Sequence, residues 1–89
     1  MMNRASEVIK LLHGKTLVTA ESCTGGMISQ LLTSVPGSST VYKGGIISYW
    51  SEVKERLLGV GPVLLEAKGP VSEPVAQRMA DGARQALHT

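Results

Sequence analysis

The 89-residue sequence predicts an α/β fold, a parallel sheet with helices packed outside it, on three observations. Two short runs rich in β-branched and apolar residues, at 16–20 and 41–50, read as strands, and a stripe of apolar residues at helical spacing lies between them. Gly14, the pair Gly25 and Gly26, and the segment VPGSST fall where elements should stop. The resulting order is α-β-α-β-α-α. Residues 3–13 place Ala5, Val8, Ile9, Leu11 and Leu12 near one face, with Gly14 as the stop. After the first strand and its glycines, Met27, Ile28, Leu31 and Leu32 recur as a helical stripe, and VPGSST breaks it. The run VYKGGIISYW supplies the second strand, and SEVKERLLGV carries Val53, Leu57 and Leu58 on a short helix. The following GPVLLEAKGP fits no single period. A last helix over about 72–87 is capped by Ser72, has Pro74 in its first turn, and repeats Val71, Val75, Met79 and Ala83 at intervals of four.

Composition narrows the class. With 43% hydrophobic and 18% charged residues, the chain reads as one soluble globular domain or part of one, and no repeat, charge block or low-complexity tract divides it. A formal charge of +2 with scattered lysines and arginines lacks the footprint of a nucleic-acid binder, and no Phe, one Trp and two Tyr give few stacking platforms. The N-terminal stretch is too polar for a signal peptide, and no apolar run approaches the roughly 18–20 residues that span a bilayer, so no membrane association is expected. A single cysteine cannot close an intramolecular disulfide and nothing resembles a metal-ligand spacing, which fits a reducing cytoplasm and no bound metal.

The chemistry concentrates in ESCTGG, residues 21–26. In a parallel α/β unit the turn after a strand lies at the carboxyl edge of the sheet, where ligands bind, and the next helix offers free N–H groups to anions. Gly25 and Gly26 let backbone approach a ligand, and Ser22 and Thr24 bring hydroxyls able to hydrogen-bond a phosphate. Two other readings stand beside this one. The segment can be a tight turn with Ser22 or Thr24 as helix cap and Cys23 as a small buried hydrophobe. Alternatively Cys23 is a nucleophile, against which His13 and His88 lie at helix ends and no aspartate lies near in sequence.

TAESCTGG, VPGSS, GGIISY followed five residues after its tyrosine by Lys54, LLGV, and GPVSEPVAQRMADGAR resemble, in that order and spacing, the CinA C-terminal family of nicotinamide mononucleotide amidases. The resemblance runs from about residue 5 to residue 88. It implies a three-layer α/β/α fold and hydrolysis of the carboxamide of nicotinamide mononucleotide to the acid with release of ammonia, without metal or cofactor. Matched residue by residue, it assigns a serine nucleophile to Ser39, the lysine base to Lys54 and the associated tyrosine to Tyr49. Ser22 falls on a ligand-contacting serine, with Thr24, Gly25 and Gly26 beside it in the substrate turn. A serine hydroxyl attacks only when a neighbour takes its proton, and a lysine does so only where burial or another cation lowers its pKa. Ser39 in the loop after one helix and Lys54 in the helix after the next strand are expected to reach one sheet edge, with Tyr49 donating to the oxyanion or the dyad. Without the resemblance, Ser38 and Ser39 read as turn and cap residues and Lys54 as a solvated helix lysine.

Two departures matter. Trp50 and Ser51 stand where family members carry a small residue and an amide, and residues 1–89 amount to one partial domain, the first half of the family's. The half sheet is expected to leave strand edges unpaired and helix faces uncovered, which favours a homo-oligomer. The alternative function is a catalytically inactive remnant that serves as a small oligomeric interaction module.

Overall fold

A computed structural model describes residues 3–89; the first two residues of the expected 1–89 domain lie outside the described residues. The elements are α1 (Arg4–Leu11), β1 (Leu17–Glu21), α2 (Met27–Thr33), a 3₁₀ turn (Ser38–Thr40), β2 (Tyr42–Ile47), α3 (Ser51–Leu58), α4 (Pro62–Lys68) and α5 (Glu73–Leu87). β1 and β2 pair in parallel, Val18 opposite Gly44 and Ala20 opposite Ile46, with a register shift between Leu17 and Val18. Helices cover both faces of this two-stranded sheet, giving the α/β/α layering expected.

Alternation along β1 sorts the two cores. Val18 and Ala20, with Ile46 of β2, pack against Leu58, Val60, Val75, Met79 and Ala83, the inner residues around α3 and α5. Leu17 faces the other way, onto Ile9, Leu32, Val41 and Tyr42, which tie α1 and α2 to the sheet. Thr19 and Glu21 share that second face. The Thr19 hydroxyl lies 2.7 Å from that of Tyr42 and 2.9 Å from that of Ser29, so a polar seam runs between β1 and α2.

The sequence reading holds for most elements, leaves one stretch open and differs from the structure elsewhere, with Leu11, Met27, Leu31 and Leu57 of the expected apolar stripes more than half exposed. The ambiguous 61–70 stretch is a helix: Pro62 occupies its first turn, where a missing N–H costs nothing, and Leu64 and Leu65 pack on the α5 core while Val63 stays exposed. Val71 is not part of the α5 stripe. It precedes the Ser72 cap and is 82% exposed, whereas Val75, Met79, Gly82 and Ala83 are buried. Neither Ser22 nor Thr24 caps α2; that position belongs to Gly26, at φ +107°, with no side-chain cap of its own. Among the described residues no helix is long and apolar enough to cross a membrane.

Candidate functional site

The strand β1 delivers Glu21 to the carboxyl edge of the sheet, and the chain turns there through Ser22–Gly26 into α2. Gly25 and Gly26 both adopt positive φ, +63° and +107°, which side chains disfavour. The turn closes on itself through Gly25 N–H to Ser22 C=O and Met27 N–H to Thr24 C=O, each 3.1 Å. At Gly26 a side chain would also strike Ile47, 2.9 Å from its Cδ1, so this glycine serves the packing of the turn on β2.

Glu21 is the organising residue, and the sequence reading passed over it. Its side chain is 2% exposed, yet it accepts from the backbone N–H of Ile28 (2.9 Å) and of Ser29 (3.1 Å) and from the Ser29 hydroxyl. Burial alone would raise its pKa. The hydrogen bonds from the Ser29 hydroxyl, the Ile28 amide, the Thr24 hydroxyl and the Ser29 amide outweigh burial and hold the carboxyl below its ordinary value of 4.5. The carboxylate thus caps α2 from the preceding strand, as a local cap residue normally would. The expectation that α2 presents free N–H groups to a bound anion is corrected accordingly: those of Ile28 and Ser29 are occupied by Glu21. Ser48, fully buried at the end of β2, completes the lock by donating its N–H to the Glu21 carbonyl at 2.7 Å.

An open cavity of about 260 Å³ lies against this turn, lined by Ala20 to Thr24 and Ile28 on one side and by Pro70 to Ser72, Ala76 and Met79 on the other. Its polar groups are the hydroxyls of Ser22, Thr24 and Ser72, the Cys23 thiol and Glu21; no lysine or arginine lines it. Ser72 is held by its own role as the α5 cap, 3.4 Å from the Val75 N–H. Among the described residues no group of three His, Cys, Asp or Glu side chains is arranged to hold a metal. Cys23 is exposed rather than the buried hydrophobe of the turn reading. Cys23→Ser is therefore expected to shift unfolding free energy by no more than about 0.5 kcal/mol, measured by thermal melting.

Of the seven residues singled out in the sequence, the cavity brings together Ser22 and Thr24. Gly25 and Gly26 shape the turn behind them. Ser39, Tyr49 and Lys54 do not line it. Tyr49 follows β2 at the same carboxyl edge and is 71% exposed. Lys54 sits in α3, 2% exposed, and neither ion pair among the described residues, Arg56–Glu52 or Arg84–Asp81, engages it. Ser39 is exposed in the 3₁₀ turn, which precedes β2. Because β1 and β2 are parallel, that turn belongs to the amino edge, and about 16 Å of strand, at ~3.3 Å per residue, separates it from the edge that carries Ser22 and Tyr49. The expectation that Ser39 shares the edge reached by Lys54 and Tyr49 does not describe this arrangement.

Comparison with known proteins agrees with the architecture. The sequence matches the CinA C-terminal domain family over residues 2–89. It is 56% identical over 78 residues to a CinA-like protein of Mycolicibacterium paratuberculosis, covering 88% of this chain and 18% of that one. To a CinA-like protein of Synechococcus it is 52% identical over 86 residues, covering 94% and 20%. Among solved structures, the competence damage-inducible protein A of Klebsiella pneumoniae superposes with a TM-score of 0.92 at 31% identity, over 96% of this chain and 54% of that one. The competence/damage inducible protein of Agrobacterium tumefaciens superposes with a TM-score of 0.87 at 41% identity, over 91% and 50%. The chain thus spans about a fifth of the curated relatives it matches and about half of the solved structures. With the family match running over residues 2–89 and the same layered α/β fold, the chain belongs to the CinA C-terminal domain family.

Proposed function

We propose that this chain carries part of a nucleotide amidase site that hydrolyses the carboxamide of nicotinamide mononucleotide to the acid and ammonia. The observation that carries this reading is the cavity at the carboxyl end of β1, where the family-like segment ESCTGG sets two hydroxyls on a rigid glycine turn. Ser22 and Thr24 hydrogen-bond polar groups of the nucleotide. At about 260 Å³ the cavity is below the ~300–1,000 Å³ typical of small-molecule sites, so it holds part of the substrate, and no lysine or arginine lines it to face a phosphate. In the chemistry the resemblance implies, a lysine takes the proton of a serine hydroxyl whose oxygen attacks the carboxamide carbon, ammonia leaves, and water releases the acid and restores the serine; Ser39 and Lys54 hold the matching positions but lie toward opposite edges of this sheet, so the chain by itself does not bring them together. Tyr49 donates to the developing oxyanion.

Ammonia release from nicotinamide mononucleotide tests this. Turnover by the native chain and its fall by at least about 10³-fold in Ser39→Ala are expected, the scale on which removing a nucleophile acts. Equal rates in both would remove Ser39 from the mechanism.

A second reading is an interaction module without hydrolytic activity, and the position of Ser39 favours it. The serine is exposed at the edge of the sheet remote from the cavity. Native chain that binds the nucleotide without releasing ammonia would decide for the module.

A further inference from the structure

We propose that a one-way chain of hydroxyls, Tyr42 to Thr19 to Ser29, ends on the Glu21 carboxylate and holds the Ser22–Gly26 turn in place. Tyr42 stands on the neighbouring strand, outside the cavity lining, and is thereby a positioning residue for the candidate site. The inference names what fixes the turn, and rests on the nucleotide reading only for what the turn is for.

The direction follows from the protons available. An ionised carboxylate only accepts, so the Ser29 hydroxyl spends its single proton on Glu21. The 2.9 Å contact between Ser29 and Thr19 is then made by the Thr19 proton, which leaves the Thr19 oxygen to accept from the Tyr42 phenol at 2.7 Å. Every donor in the row points toward Glu21, and each bond polarises the next. The row thus favours the ionised form, and that form clamps the Ile28 and Ser29 N–H groups at the end of the turn.

The strands are shaped to admit this row. Tyr42 pairs with Leu17 but Gly44 with Val18, so Lys43 is an extra residue in β2. It puts Tyr42 on the same face as Gly45 and Ile47, where regular alternation would have turned it to the other. Gly45, opposite Thr19, then leaves the space in which the hydroxyls meet. A Cβ there would overlap the Thr19 hydroxyl oxygen and stand 2.7 Å from that of Tyr42 and 3.0 Å from that of Ser29. Tyr42 is buried in the core of α1 and α2, which fixes the aim of its phenol. The row therefore joins the start of β2 to the end of β1. Besides Tyr42, the titratable groups on the elements around Glu21 are the exposed Cys23 thiol and Lys43, whose ammonium is bound at the His88 carbonyl. α2 has none, and the α5 residues at the cavity are Ala76 and Met79.

The test is an NMR titration that follows the Glu21 carboxyl carbon and the Tyr42 ring carbon bearing the hydroxyl. In the native chain the Tyr42 carbon is expected to shift with the Glu21 midpoint. Tyr42→Phe keeps the ring and removes the first donor, so the Glu21 midpoint is expected to move upward. The Ile28 and Ser29 amides are expected to gain in exchange rate at least about 10-fold more than those of Met79 and Ala83 in α5, which a uniform loss of stability would speed equally. Thr19→Val cuts the row one link further on. Adding Tyr42→Phe to it is expected to move the midpoint no further, and Thr19→Ser to keep the native midpoint. A Tyr42 carbon that ignores Glu21, a midpoint unmoved by Tyr42→Phe, or an undiminished effect of Tyr42→Phe in the Thr19→Val background would overturn the proposal. The native titration decides even where a variant does not fold. No nucleotide enters these measurements, so failure to bind nucleotide would end that reading and leave the row to its own test.

Discussion

Glu21→Ala is expected to destabilise the fold by about 2–3 kcal/mol, because it leaves the Ile28 and Ser29 N–H groups of α2 without their acceptor in a partly buried place and takes from the Ser29 hydroxyl one of its two partners, Thr19 being the other. That is a large part of the 5–15 kcal/mol a domain normally has, so a sharp fall in melting temperature is the readout. The loss has a pH signature. Hydrogen bonding holds the folded-state carboxyl below its ordinary value of 4.5, so the unfolded chain binds the proton more readily. The stability it contributes is complete above that value and is lost as pH falls through the folded-state value. Glu21→Gln keeps the shape and one acceptor but does not titrate. It is expected to melt below the native chain at neutral pH and to show a flatter acid limb. An acid limb unchanged in the glutamine variant would show that Glu21 is not the group responsible.

Gly82→Ala is expected to cost about 2 kcal/mol or more, against the roughly 1 kcal/mol gain such a change brings in an open helix interior. Gly82 is where α5 crosses the end of α3. A methyl group there would overlap the Leu58 carbonyl oxygen and stand 2.6 Å from its carbon and 2.8 Å from its Cα. Backbone cannot step aside as a flexible side chain can. Leu58 and Ala83 on either side are 1% and 0% exposed, so the two helices would have to separate and open the core. For a chain of this size each kcal/mol corresponds to about 4–8 °C, and a drop of about 10 °C in thermal melting is the expected result. A higher melting temperature in the variant would mean that the helices do not cross this closely.

Local patterns made the elements legible, and what escaped was set by distant parts of the chain. Ile9 and Leu32 sit where helical spacing placed them, whereas α1 ends at Leu11 with Leu12 as its C-cap, short of the expected residue 13, and Gly14, at φ +87°, lies in the turn that follows. The 61–70 stretch resisted because Val63, Leu64 and Leu65 are adjacent and form no stripe; only α5 determines which two are covered. The turn of the candidate site was visible as strand, glycines and helix. Its opposite wall, Pro70 to Ser72, was not, because these residues reach the cavity through the packing of α5 over β1. Glu21 carried a usable signal: the period of two along β1 puts it on the helix-covered face with Leu17 and Thr19, six residues ahead of the start of α2. The position of Ser39 was also readable, since in a parallel pair the segment before β2 belongs to the edge opposite the one after β1.

The proposed nucleotide site at the carboxyl end of β1 is tested most directly by titration of the labelled chain with nicotinamide mononucleotide, followed through its backbone amide resonances. Saturable shifts are predicted at Ser22, Cys23, Thr24, Gly25 and Gly26 and at Ser72 across the cavity. Saturable shifts confined to the amino edge around Ser39, or no saturable shift in the 22–26 turn at millimolar nucleotide, the weak end of specific binding at about 1 mM, would contradict it.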